Sequence, residues 1–150
     1  MFNTVVCAIG MGSRERVHHL IDTSRELLAP GGALHFVHAV DRFPSLSAAS
    51  PDAWATSVIA EAERKLCDLA RPLPVSPAIH VRVGRPDEVI LAVASEVGAD
   101  LILVAAHRED ILDKIFGSTV DHIAHHARCS VHIDRIGPQK RQGTDTHTPR

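Results

Sequence analysis

The sequence predicts an α/β domain: a doubly wound, five-stranded parallel sheet with helices on both faces. Three observations lead there. Five short apolar runs alternate with four segments whose apolar residues recur every three or four positions. The connections are short, and right-handed crossovers then make successive strands parallel. Aromatic residues make up only 3% of the chain, with no Tyr and one Trp, so Val, Ile, Leu and Ala must build the core. That composition suits strands buried on both faces.

The first strand is Thr4 to Ile9 (TVVCAI), a continuous apolar run. Gly10-Met11-Gly12-Ser13 turns the chain, with Ser13 as N-cap of a helix whose inner face carries Val17, Leu20, Ile21, Ser24, Leu27 and Leu28. Pro30-Gly31-Gly32 stops that helix. Ala33 to Val40 (ALHFVHAV) is the second strand, followed by a Ser- and Pro-containing loop to Pro51. Asp52 can cap the next helix, which presents Trp54, Val58, Ala62, Leu66 and Leu69 and ends before Pro72, Pro74 and Pro77.

Ile79 to Val83 alternates apolar and polar residues, as a strand near an edge does. Gly84-Arg85-Pro86-Asp87-Glu88 starts a helix: proline has the φ of a first turn, and acids oppose the positive dipole end. Val89, Ile90, Val93, Ala94 and Val97 form its face, and Gly98 ends it. Asp100 to Ala106 (DLILVAA) is the most apolar strand and is expected at the sheet centre. After a polar loop from His107 to Lys114, Gly117-Ser118 opens a helix with Val120, Ile123, Ala124 and Ala127 inward, and Ser130 to Asp134 is the fifth strand. The domain spans residues 1–136. Residues 137–150 are polar and aperiodic, as in a disordered tail.

Composition excludes several roles. A formal charge of −2 gives no electrostatic case for nucleic acid or an anionic membrane. No apolar run approaches the roughly 18 residues that span a bilayer, and the first residues lack the basic start of a signal peptide. Cys7, Cys67 and Cys129 are too scattered for a disulfide framework or a metal pair and fit a reducing compartment, so the cytoplasm is expected.

In a doubly wound sheet, ligands bind beyond the carboxyl ends of strands where the strand order reverses. The loops after the first, second and fourth strands are therefore the candidates. Gly117-Ser118-Thr119 stands at a helix N-terminus, where unpaired N–H groups and the dipole favour an anion. Arg108 and Lys114 can add positive charge. The alternative is plain: Gly117 turns the chain and Ser118 caps the helix.

The segment from Asp100 to Arg135, DLILVAAHREDILDKIFGSTVDHIAHHARCSVHIDR, resembles the C-terminal signature of the universal stress protein family. The stretch His107-Arg108 through Gly117-Ser118 is similar to the bacterial subgroup with a His-Arg loop. Gly84-Arg85-Pro86 and His38 match further family features. The resemblance covers roughly residues 3–135. It implies an adenine nucleotide alpha hydrolase-like fold, a homodimer through the last strand (Ser130 to Asp134), and a stress-response role. It also implies ATP or AMP as ligand, with Mg²⁺ if ATP. The implied nucleotide site comprises Ala8, Ile9, Gly10, Ala39, Ala105, His107, Arg108, Gly117, Ser118 and Thr119. Within that pattern Gly10 replaces the aspartate that follows the first strand in nucleotide-binding members, and Ala105 replaces a glycine. Altered nucleotide recognition is therefore expected.

Two alternatives accompany this reading: a nucleotide-free dimer that recruits a protein partner, and a slow phosphohydrolase with His107 as base. Asp110 and Asp113 could hold Mg²⁺ beside a triphosphate or form a solvated loop. His122, His125 and His126 have the helical spacing of a zinc pair but no clear third ligand, and read as surface or dimer-facing imidazoles. No catalytic triad, Walker lysine loop or Cys-x-x-Cys occurs, so no catalytic or metal site is assigned.

Overall fold

The computed structural model describes residues 1–40, 50–106 and 118–135. In chain order the elements are β1 (Phe2–Ala8), α1 (Arg14–Leu27), β2 (Leu28–Val40), α2 (Pro51–Ala70), β3 (Ala78–Val83), α3 (Pro86–Val97), β4 (Leu101–Ala105), α4 (Ser118–His126) and β5 (Ser130–Asp134). The sheet has the order β3-β2-β1-β4-β5, and every neighbouring pair is parallel. This is the expected doubly wound fold.

β1 is the central strand, with β2 on one side and β4 on the other. The expectation that β4 is central is corrected: it lies one strand in from the β5 edge. Its apolar run reports burial on two faces, which a second-from-edge strand also has. β3 is at the opposite edge, as its alternation suggested.

Two apolar layers sandwich the sheet. Val5, Cys7, Leu34, Phe36 and Leu103 meet Leu20 and Ile21 of α1 and Leu66 of α2. Val6, Val37, Ile102 and Val104 meet Ile90 and Val93 of α3 and Val120 and Ile123 of α4. Alternate residues of each strand point to opposite faces, so one run feeds both layers. Cys7 is an apolar filler there: burial pushes its thiol up to about 12. Ala124, expected inward, is exposed, because Val120 and Ile123 already define the buried stripe of a short helix.

Local chemistry moves several boundaries. α1 runs directly into β2, and Pro30-Gly31-Gly32 lies in an irregular stretch of that strand, between the pairings Phe2↔Leu28 and Thr4↔Ala33. Gly32 permits the close approach: a Cβ there would fall 2.9 Å from the Asn3 carbonyl oxygen. α2 starts before Asp52. Ser50 caps it by accepting from the Ala53 N–H at 3.2 Å, because Pro51 already has a first-turn φ. α3 ends as expected at Gly98, whose φ of 65° is left-handed.

Asp100, expected inside β4, precedes it. Its carboxylate accepts from the N–H groups of Asn3 at 2.8 Å and Thr4 at 2.9 Å. The Asn3 bond, with the Thr4 bond behind it, holds the Asp100 carboxyl below the usual carboxylate range. The start of β4 is thereby fastened to the start of β1.

β2 and β3 bring His35 and His80 together, with Nδ1 and Nε2 2.9 Å apart. Burial lowers both pKa values; the partner imidazole lowers His35 further, and Arg82 lowers His80. A histidine whose folded pKa lies below its unfolded value binds protons more readily when unfolded. Stability is then complete above the unfolded value and falls as pH drops through it toward the folded one. We expect the unfolding temperature to decrease between pH 7.5 and 5.5, and the decrease to be smaller in His80→Gln. Thermal unfolding across that range checks this; an equal slope in the variant would refute the assignment.

Candidate functional site

A strand order that leaves β1 toward β2 on one side and returns to β4 on the other opens a crevice at the carboxyl ends of β1 and β4. A cleft of about 420 Å³ lies there, within the size range of small-ligand sites. Ala8, Ile9, Ala39 and Ala105, from the strand ends, form its floor together with Val37 and Val104. Gly10, Ser118 and Thr119 also line it. Seven of the sequence-expected site residues thus share one cleft. His107, Arg108 and Gly117 lie outside the described residues, as do Asp110, Asp113 and Lys114.

Parallel strands force the helices that follow them to begin at this same edge. α1 contributes Gly12, Ser13 and Arg16, α3 contributes Pro86 and Ile90, and α4 contributes Ser118 and Thr119. Three helix N-termini therefore border one cavity. Each has first-turn N–H groups without intrahelical acceptors and carries the positive end of a dipole. Ser13 accepts from the Arg16 N–H at 3.5 Å, a long cap. Arg85, the N-cap of α3, makes no side-chain cap bond. With a largely apolar floor, the cleft suits a ligand with an anionic end and a flat apolar body.

Sequence reasoning overlooked Gly12, Ser13, Arg16, Pro86 and Ile90 as lining residues. In the sequence Ser13 and Pro86 mark helix starts. The available signal was topological: in this fold every helix start that follows a strand is a candidate wall of the cleft. His38, which entered only through a family resemblance, also lines it. Its Nδ1 is 2.8 Å from the Ile9 carbonyl oxygen. A carbonyl only accepts, so Nδ1 carries the hydrogen and Nε2 of the neutral ring is an acceptor. His38 thus ties the end of β2 to the end of β1 and adds a polar atom to an apolar wall.

Gly10 has an ordinary φ, and a Cβ added there would meet nothing within 4 Å. The missing aspartate therefore leaves open space at this point. Among the described residues no group of three or more His, Cys, Asp or Glu side chains could hold a metal ion. His125 is exposed and pairs with Asp121 at 3.5 Å, whereas His122 is half-buried and faces α3. No helix among the described residues is long and apolar enough to cross a membrane.

The model of the universal stress protein family matches residues 1–135. Universal stress protein A homolog 2 of Coxiella burnetii is 32% identical over 123 residues, covering 78% of this chain and 84% of that protein. Among solved structures, a universal stress protein in complex with cAMP is similar at a TM-score of 0.51 and 22% identity, covering 89% of this chain and 96% of that one. A universal stress protein family protein from Arabidopsis thaliana with AMP bound is similar at a TM-score of 0.58 and 12% identity, covering 95% and 97%. At these identities the two structures show a shared fold.

The His38 bond generates a prediction. Ile9 is almost fully buried, so His38→Phe leaves its carbonyl without that donor and should cost about 1–3 kcal/mol. His38→Asn, whose amide can reach the same carbonyl, should recover part of the loss. Denaturant unfolding of both variants measures it; equal midpoints for Phe and Asn would refute the role of the bond.

Proposed function

Because the chain belongs to the universal stress protein family, we propose that it is a stress-response domain that binds an adenine mononucleotide in the β1/β4 cleft. The observation that carries this reading is the meeting of three helix N-termini on one cleft with an apolar floor. The phosphate lies at the start of α4, on the first-turn N–H groups and the hydroxyls of Ser118 and Thr119. His107, Arg108 and Gly117, which the family resemblance assigns to the same ligand, lie outside the described residues. The adenine side is Ala8, Ile9, Gly10 and Ala39. The ligands named for the two similar structures, cAMP and AMP, are of this size and chemistry. ATP with Mg²⁺ is the longer version of the same ligand.

Calorimetric titration with AMP and cAMP tests the reading. Ser118→Glu places a carboxylate at the first position of α4. There it suits the helix but repels a phosphate, and it should weaken binding at least about tenfold. Gly10→Asp fits the open space and restores an acceptor for a ribose hydroxyl, so it should tighten binding. No heat from the parent protein at millimolar nucleotide would overturn the proposal and favour the nucleotide-free, partner-recruiting reading.

The second part of the proposal is a homodimer through Ser130–Asp134. β5 pairs with β4 on one side, and its other edge offers backbone donors and acceptors to a second copy. Sedimentation at micromolar concentration should give a dimer; a monomer would contradict it.

A further inference from the structure

We propose that Asp87 and His122 form a proton-operated clamp that positions the N-terminus of α4 at the cleft, so that ligand affinity rises as the solution is acidified from pH 8 to pH 6. The affinity part rests on the nucleotide reading of the cleft; the clamp itself does not.

Asp87 is the second residue of α3, and its side chain is only 4% exposed. A carboxylate so buried needs partners. The Arg85 guanidinium donates to Oδ2 at 3.0 Å, and Nε2 of His122 on α4 lies 3.6 Å from the same oxygen. That second distance is beyond a good hydrogen bond. The contact is therefore weak with a neutral imidazole and becomes an ion pair when His122 gains a proton. The ring is held in place from behind: His126 stacks on it at 4.0 Å with an 18° tilt, and His126 is itself anchored by its Nδ1, 2.9 Å from the His122 carbonyl oxygen.

The clamp joins two walls of the cleft. α3 supplies Pro86 and Ile90 next to Asp87, and α4 supplies Ser118 and Thr119 one turn before His122. Ile90, Val93, Val120 and Ile123 form the apolar part of the contact between these helices. Among the described residues, Asp87–His122 is the ionisable pair that bridges the two helices. Among the described residues, the charged and titratable groups around His122 are Asp87 and Arg85 from α3, and Asp121, His125 and His126 from its own helix. Arg85 also lies 3.7 Å from Glu88. β5 contributes Val131 and Ile133 to this layer. Protonation thus adds one positive charge beside a buried carboxylate and draws the α4 start toward α3.

The test uses cAMP, a phosphodiester whose charge is constant over this pH range, and compares affinity at pH 8 and pH 6. The protein should bind about fivefold more tightly at pH 6. His122→Gln and Asp87→Asn should lose that gain, while His125→Gln, which removes an exposed imidazole from the same helix, should keep it. An equal gain in His122→Gln would overturn the proposal and leave only the general effect of added positive charge. A second readout needs no ligand: amide exchange of residues 122–126, whose N–H groups bond within α4, corrected for intrinsic rates, should be slower at pH 6 than at pH 8, with no such difference in His122→Gln. If cAMP binds at neither pH, the nucleotide reading fails and exchange alone decides the clamp; pH-independent protection would overturn it.

Discussion

β1 is the constraint on which the rest of the structure depends. It is hydrogen-bonded on both sides, and Val5, Val6 and Cys7 have no exposed surface. A strand enclosed by two neighbours and two helical layers can contain no charge and little bulk, and its register decides which residues enter each layer. Asp100 helps set that register, since its carboxylate grips two N–H groups at the start of β1.

From a parallel sheet around β1 the electrostatics of the molecule follow. All five strands end at one edge, and α1, α3 and α4 begin there. No single helix start makes a site, but three around one cleft concentrate partial positive charge where apolar strand ends provide the floor. The net charge of the chain is slightly negative, so the preference for an anion comes from backbone geometry. The same arrangement brings α3 and α4 close enough for Asp87 and His122 to meet, and links a wall of the cleft to a titratable contact.

The departures from the family's nucleotide pattern acquire a physical meaning in this setting. Gly10 leaves a gap at the end of β1. His38 supplies an acceptor nearby, fixed in its tautomer by the Ile9 carbonyl. Ala105 adds only a methyl group to the floor. The wall formed by Ala8, Ile9, Gly10 and Ala39 carries few polar anchors, while the helix starts that favour an anion remain.

The sequence by itself determined the alternation of strands and helices, the parallel doubly wound class and the sheet edge at which the cleft opens. These depend on local periodicity and on chain connection, both of which are written along the chain. The family resemblance, carried by the Asp100–Arg135 segment, named the residues at the ends of β1, β2 and β4 that border the cleft. The sequence misplaced β4 at the centre, because apolarity measures burial above and below a strand and says nothing of its lateral neighbours. It read the cap of α2 at Asp52 because the balance between Ser50, Pro51 and Asp52 depends on backbone angles. Only the tertiary structure decided that Ser13, Pro86 and Ser118 meet at one cavity, that His38 reaches the Ile9 carbonyl, and that His122 faces a buried Asp87. Those pairings join residues distant in the chain, and their energies depend on distance and burial, which exist only once the chain has folded.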